Sequence, residues 1–270
     1  MLRDITLGQY YPGKSVIHDL DPRTKILSTL LFIIELFLVR DFTGLIVAAA
    51  ALAAVIAVSK VPLSFIVRGL KPIVVIIIIT FALNVFMSTG TIIWQWKFLH
   101  VTSEGLRSGI FVSVRLILLI ISSTMLTLTT TPITLTDGLE KIMSPLSRIG
   151  VPAHEIAMMM SISLRFIPTL MEETDKIIKA QEARGADFES GNLIRRARAM
   201  VPILVPLFVS SFHIAQDLAN AMESRCYRGG KGRTRMNQIT LDRYDVIAFV
   251  LMAAFFALII VMRSYSHIIF

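Results

Sequence analysis

The sequence predicts an all-α integral membrane protein with about five transmembrane helices and additional long amphipathic helices. Apolar residues make up 54% of the 270 residues, and the mean hydropathy is +0.70. Several apolar runs approach the roughly 20 residues that an α-helix needs to cross the hydrocarbon core of a bilayer. One soluble core cannot hide this much apolar surface, so lipid must act as the solvent for part of the chain.

Five apolar runs account for the predicted spans. They cover residues 26–39, 42–58, 73–88, 108–130 and 246–262. The first two runs are short and are separated only by Arg40 and Asp41, so they form either a tight pair or one interrupted segment. The preceding Asp21-Pro22-Arg23 is interpreted as the N-cap of the first helix, because Asp is a favoured cap and Pro a favoured first helical residue.

Two predicted spans contain an ionisable residue. Glu35 lies in the first run and Arg115 in the fourth. Charged groups inside a membrane are candidates for function because they are expensive to bury there. The alternative is structural: an ion pair between helices, or a position of Arg115 near the membrane interface.

The distribution of positive charge orients the spans. Of the 27 Lys and Arg residues, 15 lie between residues 132 and 245, and most others lie in the N-terminal tail and in the loop after the second run. The positive-inside rule places these segments together in the cytoplasm. The predicted organisation is a membrane region at 1–131, a cytoplasmic helical region at 132–245 and a final span at 246–270. With this hydropathy, the net charge of +8 favours a membrane protein over nucleic-acid binding.

The region 132–245 is predicted to contain a short helix before Gly150 and two long helices, at residues 154–184 and 193–225. The first long helix starts apolar and ends charged, with Glu172 and Lys176 at a favourable i,i+4 spacing. In the second, apolar residues recur with helical period and Pro202 and Pro206 are predicted to kink the helix. Its middle, residues 200–215, either lies at the membrane interface, as the prolines and flanking arginines favour, or forms a sixth span.

Both long helices end in a small-Arg-small triplet. The triplets are Ala183-Arg184-Gly185 and Ser224-Arg225-Cys226, 41 residues apart. An arginine in the last turn suits the negative end of the helix dipole, an effect worth roughly 0.3–1 kcal/mol. The repetition, with small neighbours that allow close approach, suggests a second use. A guanidinium on a rigid helix tip can enter a partner's groove and bind carboxylates bidentately.

Three further segments complete the pattern: Leu20-Asp21-Pro22-Arg23-Thr24-Lys25, Ser163-Leu164-Arg165-Phe166-Ile167-Pro168 and Ala221-Met222-Glu223-Ser224-Arg225-Cys226-Tyr227-Arg228-Gly229. With these segments the chain resembles, over nearly its whole length, the T component (EcfT, CbiQ-like) of energy-coupling factor transporters, a branch of ABC importers. That family has two X-Arg-X motifs, commonly Ala-Arg-Gly, onto which Arg184 and Arg225 fall. The second triplet departs from the pattern through Ser224 and Cys226.

The resemblance implies a coupling scaffold for vitamin or metal-ion uptake, with no cofactor. Two ABC ATPase subunits would each receive one triplet, and a small substrate-binding membrane protein, the S component, would pack on the apolar face of the two long helices. The expected contact residues for the S component are Met158, Met159, Met160, Leu164, Ile167, Leu204 and Phe208. Methionine repacks easily, which suits an exchangeable surface. Core packing between the helices is the alternative for the methionine run.

Two other function classes remain as alternatives. An intramembrane enzyme would need a nucleophile with a base, or metal ligands, yet the sequence has no H-E-x-x-H or G-x-S-x-G motif, one cysteine and scattered histidines. Residues 8–15 match the phosphate-binding pattern G-x-x-x-x-G-K-[ST], but no predicted strand precedes them as such a loop requires, so ATP is expected to be hydrolysed by another chain. A conventional ABC permease, which lines the substrate path itself, would be present in two copies per ATPase pair instead of one.

A basic, glycine-rich tract follows the second triplet, from Arg228 to Arg235. Such a tract resembles an RNA-binding tail. Beside a membrane, contact with anionic lipid headgroups or with a partner chain is the favoured interpretation.

Overall fold

A computed structural model of the chain describes residues 10–88, 90–96, 99–188, 192–229 and 241–269. These residues form ten α-helices: α1 (Val16–Asp19), α2 (Pro22–Leu38), α3 (Phe42–Ser59), α4 (Leu63–Leu70), α5 (Val74–Met87), α6 (Ser103–Thr129), α7 (Pro132–Met143), α8 (Ala153–Ala183), α9 (Leu193–Ser224) and α10 (Arg243–Ile269). Short 3₁₀ turns lie at Lys71–Ile73 and Ser144–Ile149. The predicted helical membrane fold is confirmed. One antiparallel hairpin, β1 (Ile92–Trp96) with β2 (Leu99–Thr102), was not predicted.

Among the described residues, five helical stretches are long and apolar enough to cross a membrane. They are Phe42–Ser59, Leu63–Met87, Ser103–Thr129, Ile194–Ser224 and Arg243–Ser264. Four coincide with predicted spans, which makes the chain a multi-pass membrane protein. The predicted first span corresponds to α2, whose 17 residues are at the lower limit of spanning length. The stretch Ile194–Ser224 includes residues 200–215, so length and composition allow the sixth span as well as the interfacial helix.

The chain divides into two compact units. The N-terminal unit comprises residues 8–138 and 238–270 and contains α1 to α6, the hairpin and α10. The arm unit begins at residue 139 and, among the described residues, contains α8 and α9. The boundary falls within α7. The division predicted after residues 131 and 245 separates membrane regions from a cytoplasmic region, and it stays a prediction. From residue 230 onward, the basic tract lies outside the described residues.

Helices α2, α3, α6 and α10 supply the main core of the N-terminal unit. Its buried side chains are Phe32, Leu36, Val39, Leu45, Ala48, Leu52, Leu118 and Ile259. The rings of Phe32 on α2 and Phe255 on α10 stack with centroids 6.2 Å apart. Lipid tails are as apolar as these side chains, so close packing between the helices stabilises the bundle.

Two glycines on α6 allow α5 to approach closely. A Cβ atom on Gly105 would lie 2.9 Å from the carbonyl oxygens of Asn84 and Val85. A Cβ atom on Gly109, one turn later, would lie 3.1 Å from the ring of Phe81. Small residues at this spacing permit close backbone contact between membrane helices.

The beginnings of α2 and α10 are tied together by aspartates. Asp21 caps α2: its Oδ1 accepts from the backbone N–H of Arg23 at 2.8 Å, and its carboxylate pairs with the Arg23 guanidinium, also at 2.8 Å. The backbone N–H of Asp21 donates to Oδ1 of the buried Asp245 at 2.9 Å. The other oxygen of Asp245 accepts from the backbone N–H of Asp242. The capping role predicted for Asp21-Pro22-Arg23 is confirmed.

Glu35 and Arg115 do not form the ion pair that was one alternative. Glu35 is 1% exposed, and neither carboxylate oxygen has a hydrogen-bond partner among the described residues. The Arg115 guanidinium donates to the backbone oxygen of Val39 at 2.5 Å and lies 4.6 Å from the ring centroid of Phe111. Arg115 therefore links α6 to the end of α2 through a main-chain acceptor.

Candidate functional site

The candidate site consists of the two arginines at the ends of α8 and α9. Arg184 follows Ala183, the last helical residue of α8, and Arg225 follows Ser224, the last of α9. Both arginines therefore occupy the C-cap position. The sequence had predicted them in the last turn of the helix, which ends one residue earlier. Each side chain leaves the helix where the backbone changes direction.

The end of α8 is closed by a Schellman motif. The Gly185 N–H donates to the Glu182 carbonyl at 2.9 Å, and the Ala186 N–H donates to the Gln181 carbonyl at 3.0 Å. Gly185 has φ +84°, the left-handed conformation that this motif requires. A Cβ atom at Gly185 would meet none of the described residues within 4 Å. The glycine is therefore required by the backbone conformation and not by packing against the described part of the chain.

The end of α9 repeats the same geometry without glycine. The Cys226 N–H donates to the Glu223 carbonyl at 2.8 Å, and the Tyr227 N–H donates to the Met222 carbonyl at 3.0 Å. Cys226 has φ 55°. The left-handed region costs a non-glycine residue roughly 1–2 kcal/mol. Two different triplets thus present their arginines on matching helix ends, at a conformational cost in the second.

All six residues of the two triplets are exposed. Neither the Arg184 nor the Arg225 guanidinium makes a hydrogen bond or ion pair with any residue in the described part of the chain. A guanidinium presents five N–H donors in a planar fork that matches a carboxylate or a phosphate. Both tips are therefore available to an anionic group on another molecule.

A contact between α8 and α9 indicates how far apart the ends of the two helices, with Arg184 and Arg225, are. The Gln181 side-chain amide donates to the carbonyl oxygen of Pro202 at 3.4 Å. That carbonyl is free because its usual helical donor, residue 206, is a proline without an N–H. The end of α8 thus lies beside Pro202, while Arg225 is about 23 residues farther along α9, which corresponds to roughly 35 Å of helix. At that separation, one small pocket cannot hold both arginines.

The two helices form long continuous arms. With 31 residues in α8 and 32 in α9, each arm is roughly 45–50 Å long. The α8 helix continues through Pro168, and α9 continues through Pro202 and Pro206. A force applied at either tip would reach residues far along the same helix.

The apolar residues expected to contact a membrane partner are largely accessible in this chain. Met159, Met160, Leu204 and Phe208 are 57%, 37%, 57% and 66% exposed. Met158, Leu164 and Ile167 are half-buried. The exposed surface on α9 extends through further apolar side chains, namely Met200, Val201, Val205, Val209 and Phe212. Apolar surface of this extent marks contact with lipid or with another protein.

Sequence reasoning located both arginines at helix ends, and their docking role stays a prediction, but it missed the Gln181 contact and the conformation of Cys226. The spacing of Pro202 and Pro206 signals a carbonyl without its helical donor, although it does not identify the side chain that pairs with it. The residue type of Cys226 gives no local signal, because glycine is the usual residue in that conformation. The one signal is its position in the second triplet, which matches that of Gly185 in the first.

Comparison with known proteins places these features in a family context. The family model described as cobalt transport protein, CbiQ, matches residues 13–236. A protein of Thermosediminibacter oceani is 58% identical over 249 residues, covering 92% of this chain and 94% of the relative. A protein of Ruminiclostridium cellulolyticum is 52% identical over 263 residues, covering 97% and 98%. A protein of Bacillus subtilis is 47% identical over 265 residues, covering 98% and 100%. Each relative is named energy-coupling factor transporter transmembrane protein EcfT.

Proposed function

We propose, on the premise that this chain belongs to the CbiQ family of cobalt transport proteins, that it is the transmembrane coupling component of an energy-coupling factor importer. The observation that supports this role most strongly is the pair of exposed arginines on matching helix ends, with roughly 35 Å of α9 between the Gln181–Pro202 contact and Arg225. In this role the chain is a transport component and not an enzyme. ATP hydrolysis belongs to its partners.

Each arginine tip docks onto its own ATPase subunit. The Arg184 and Arg225 guanidinia have no partners among the described residues, so carboxylates in a groove on each ATPase would complete their hydrogen bonds. Ala183, Gly185, Ser224 and Cys226 flank the arginines with small side chains that let a groove wall approach. Two separate tips suit two ATPase subunits, one copy of the chain serving the pair.

The long arms transmit the motion of the ATPases. When the two ATPase subunits close on ATP, the docked tips are displaced relative to each other. Because α8 and α9 are continuous helices joined near one tip by the Gln181–Pro202 contact, the displacement is transmitted along the arms. The chain thereby couples nucleotide-driven closure to movement at the membrane.

The exposed apolar residues of the arms receive the substrate-binding S component. Met159 and Met160 on α8 and Leu204 and Phe208 on α9 offer accessible apolar surface, and Met158, Leu164 and Ile167 lie beside it on α8. Because the S component captures the substrate, it selects the vitamin or metal ion that is imported. The N-terminus and the region 132–245 face the cytoplasm, where the ATPases are, in agreement with the positive-inside distribution.

Substitution of the arginines tests this function. Each of Arg184→Ala and Arg225→Ala removes charge-assisted hydrogen bonds, typically worth about 1.5–3 kcal/mol, so each should weaken ATPase binding about 10- to 100-fold. Lysine at either position keeps the charge but loses the planar fork and should restore only part of the binding. The assay is capture of the ATPase subunits by the tagged full-length chain from detergent-solubilised membranes.

The control for this experiment is Lys176→Ala, which removes a 72% exposed positive charge from α8 away from its tip. This variant should bind the ATPases normally. Undiminished ATPase capture and uptake in the doubly substituted Arg184→Ala, Arg225→Ala chain would reject the coupling role. Two copies of the chain per ATPase pair would favour the conventional permease instead.

A further inference from the structure

Three arginines lie at the beginning of α9. Arg195 and Arg196 are in its first turn and Arg198 is in its second, and all three are exposed. Their guanidinium groups make no hydrogen bond or ion pair with any residue that the structure describes. These three residues, the α9 arginine cluster, belong to neither of the two triplets.

The position of the cluster opposes the dipole of its own helix. The N-terminal end of a helix carries partial positive charge, so acidic residues are favoured there and cationic residues are disfavoured. Helix α8 has Glu155 in its first turn and α10 has Asp245. The first turn of α9 contains no acidic residue, and the side chain of its N-cap residue, Asn192, makes no capping hydrogen bond. Because the cluster does not stabilise its own helix, its charge points to a use in binding another molecule.

The contact between α8 and α9 places the cluster beside the first arginine tip. Gln181 on α8 donates to the carbonyl oxygen of Pro202 on α9. Arg184 lies three residues beyond Gln181, and Arg198 lies four residues before Pro202. These intervals correspond to about 4.5 Å along α8 and about 6 Å along α9. With packed helix axes about 8–10 Å apart, the Arg184 and Arg198 backbones are within about 20 Å, a distance that one ordinary protein interface spans.

The three side chains leave α9 on one half of its circumference. Arg195, Arg198 and Pro202 are spaced at i, i+3 and i+7, so they share the helix face that passes the contact with α8. Arg196 lies seven residues before Ile203, which is buried. At 100° per residue, the three arginines cover an arc of roughly 160°. One partner surface can therefore contact all three.

The composition of the cluster indicates the chemistry of its partner. It contains arginine and no lysine. Arginine is the residue that binds carboxylates bidentately, in a fixed geometry. An anionic membrane surface, in contrast, attracts lysine and arginine alike through their charge. The composition and the position beside Arg184 both favour carboxylates on a protein over lipid headgroups.

We propose that the α9 arginine cluster and Arg184 form one docking surface, which binds an acidic patch beside the arginine-binding groove of a single ATPase subunit. This inference rests on the coupling function proposed above and extends it, because it adds contacts outside the triplets. Arg184 enters the groove, and the cluster binds carboxylates next to it. Arg225 lies 27 residues beyond Arg198, roughly 40 Å along α9. The cluster therefore serves the first tip and not the second.

Neutralisation of two cluster residues tests this surface. The full-length Arg195→Gln, Arg198→Gln chain is used to capture the ATPase subunits from detergent-solubilised membranes. Loss of two exposed charge pairs should weaken capture about 2- to 30-fold at low salt. The difference from the unaltered chain should shrink at about 1 M salt, where the screening length is about 3 Å. Glutamine forms helix about as well as arginine, so the thermal midpoint of the solubilised chain should not fall.

Photo-cross-linking distinguishes the two tips in the same variant. A photoreactive residue at position 184 should cross-link less ATPase in the doubly substituted chain, whereas one at position 225 should cross-link as much as before. An equal loss at both positions would show a general defect of the chain and would overturn the proposal.

The matched control is Arg165→Gln, Lys176→Gln, which removes two exposed positive charges from α8. It should capture the ATPases like the unaltered chain. Capture by the cluster variant equal to that of this control at every salt concentration would overturn the proposal, while the function of the triplets would stand. Cross-links from a photoreactive residue at position 195 that reach lipid and no ATPase would identify the membrane surface as the partner and would also overturn it. Failure of Arg184→Ala to weaken capture would instead reject the coupling function itself.

Discussion

Substitution of Gly185 by alanine isolates the contribution of the cap to the first arginine tip. Gly185 has φ +84°, and a Cβ atom there would lie more than 4 Å from every other residue that the structure describes. The substitution therefore changes only backbone energetics. The left-handed conformation costs alanine roughly 1–2 kcal/mol, of which about 0.4–1 kcal/mol is offset because alanine restricts the unfolded chain. The expected net destabilisation of the helix end is about 0.5–1.5 kcal/mol.

Hydrogen exchange measures this destabilisation directly. The amides of residues 185 and 186 are protected by their hydrogen bonds to Glu182 and Gln181. The calculated cost should raise their exchange rates about 2- to 13-fold. Amides in the middle of α8 should exchange at unchanged rates, because the change affects only the helix end.

At the second arginine tip, the reverse substitution, which introduces a glycine, should have the opposite effect on hydrogen exchange. Cys226 adopts φ 55° without being glycine, so Cys226→Gly should slow exchange at residues 226 and 227 by a similar factor. Cys226→Ser keeps the strained conformation and should leave exchange unchanged. Unaltered or slower exchange in Gly185→Ala would refute the claim that backbone conformation selects the small residue after each arginine.

Three further substitutions test the remaining structure. Gly105→Ala should lower the thermal midpoint of the solubilised chain more than Gly109→Ala, because its Cβ would lie 2.9 Å from backbone oxygens instead of 3.1 Å from a movable ring. Asp245→Ala leaves two N–H groups unpaired at the start of α2 and α10, so it should lower the free energy of unfolding, measured by chemical denaturation, by about 1–3 kcal/mol. Its control, Asp217→Ala at an exposed position of α9, should change that free energy little. Phe208→Glu should abolish capture of the S component while ATPase capture persists, and loss of both together would contradict separate surfaces.

The positions of the helices were predictable because they depend on local signals. The interval 154–184 predicted a helix that the structure places at Ala153–Ala183, and 193–225 predicted one at Leu193–Ser224. Apolar periodicity defined the faces of these helices, and the glycine after Arg184 defined an end. The capping role of Asp21 followed equally from its type and its position before a proline.

Features that depend on the relative placement of helices were not predictable. Arg115 pairs with the backbone oxygen of Val39 and not with Glu35, because the orientation of α6 against α2 decides which acceptor is in reach. The Gln181–Pro202 contact likewise depends on how α8 lies against α9. Residues 92–96 contain one polar residue, Gln95, and show no alternation, so the strand is defined by its pairing with β2 and not by a local pattern.

Site-specific photo-cross-linking from positions 184 and 225 tests the coupling role most directly. A photoreactive residue is placed at each position in the assembled transporter, with position 176 as the control. The expected result is one ATPase subunit cross-linked at each tip, a doubly labelled chain bridging two ATPase subunits, and little cross-linking from position 176. Cross-links from 184 and 225 that reach only lipid or other helices of the same chain would contradict the docking of the arginine tips.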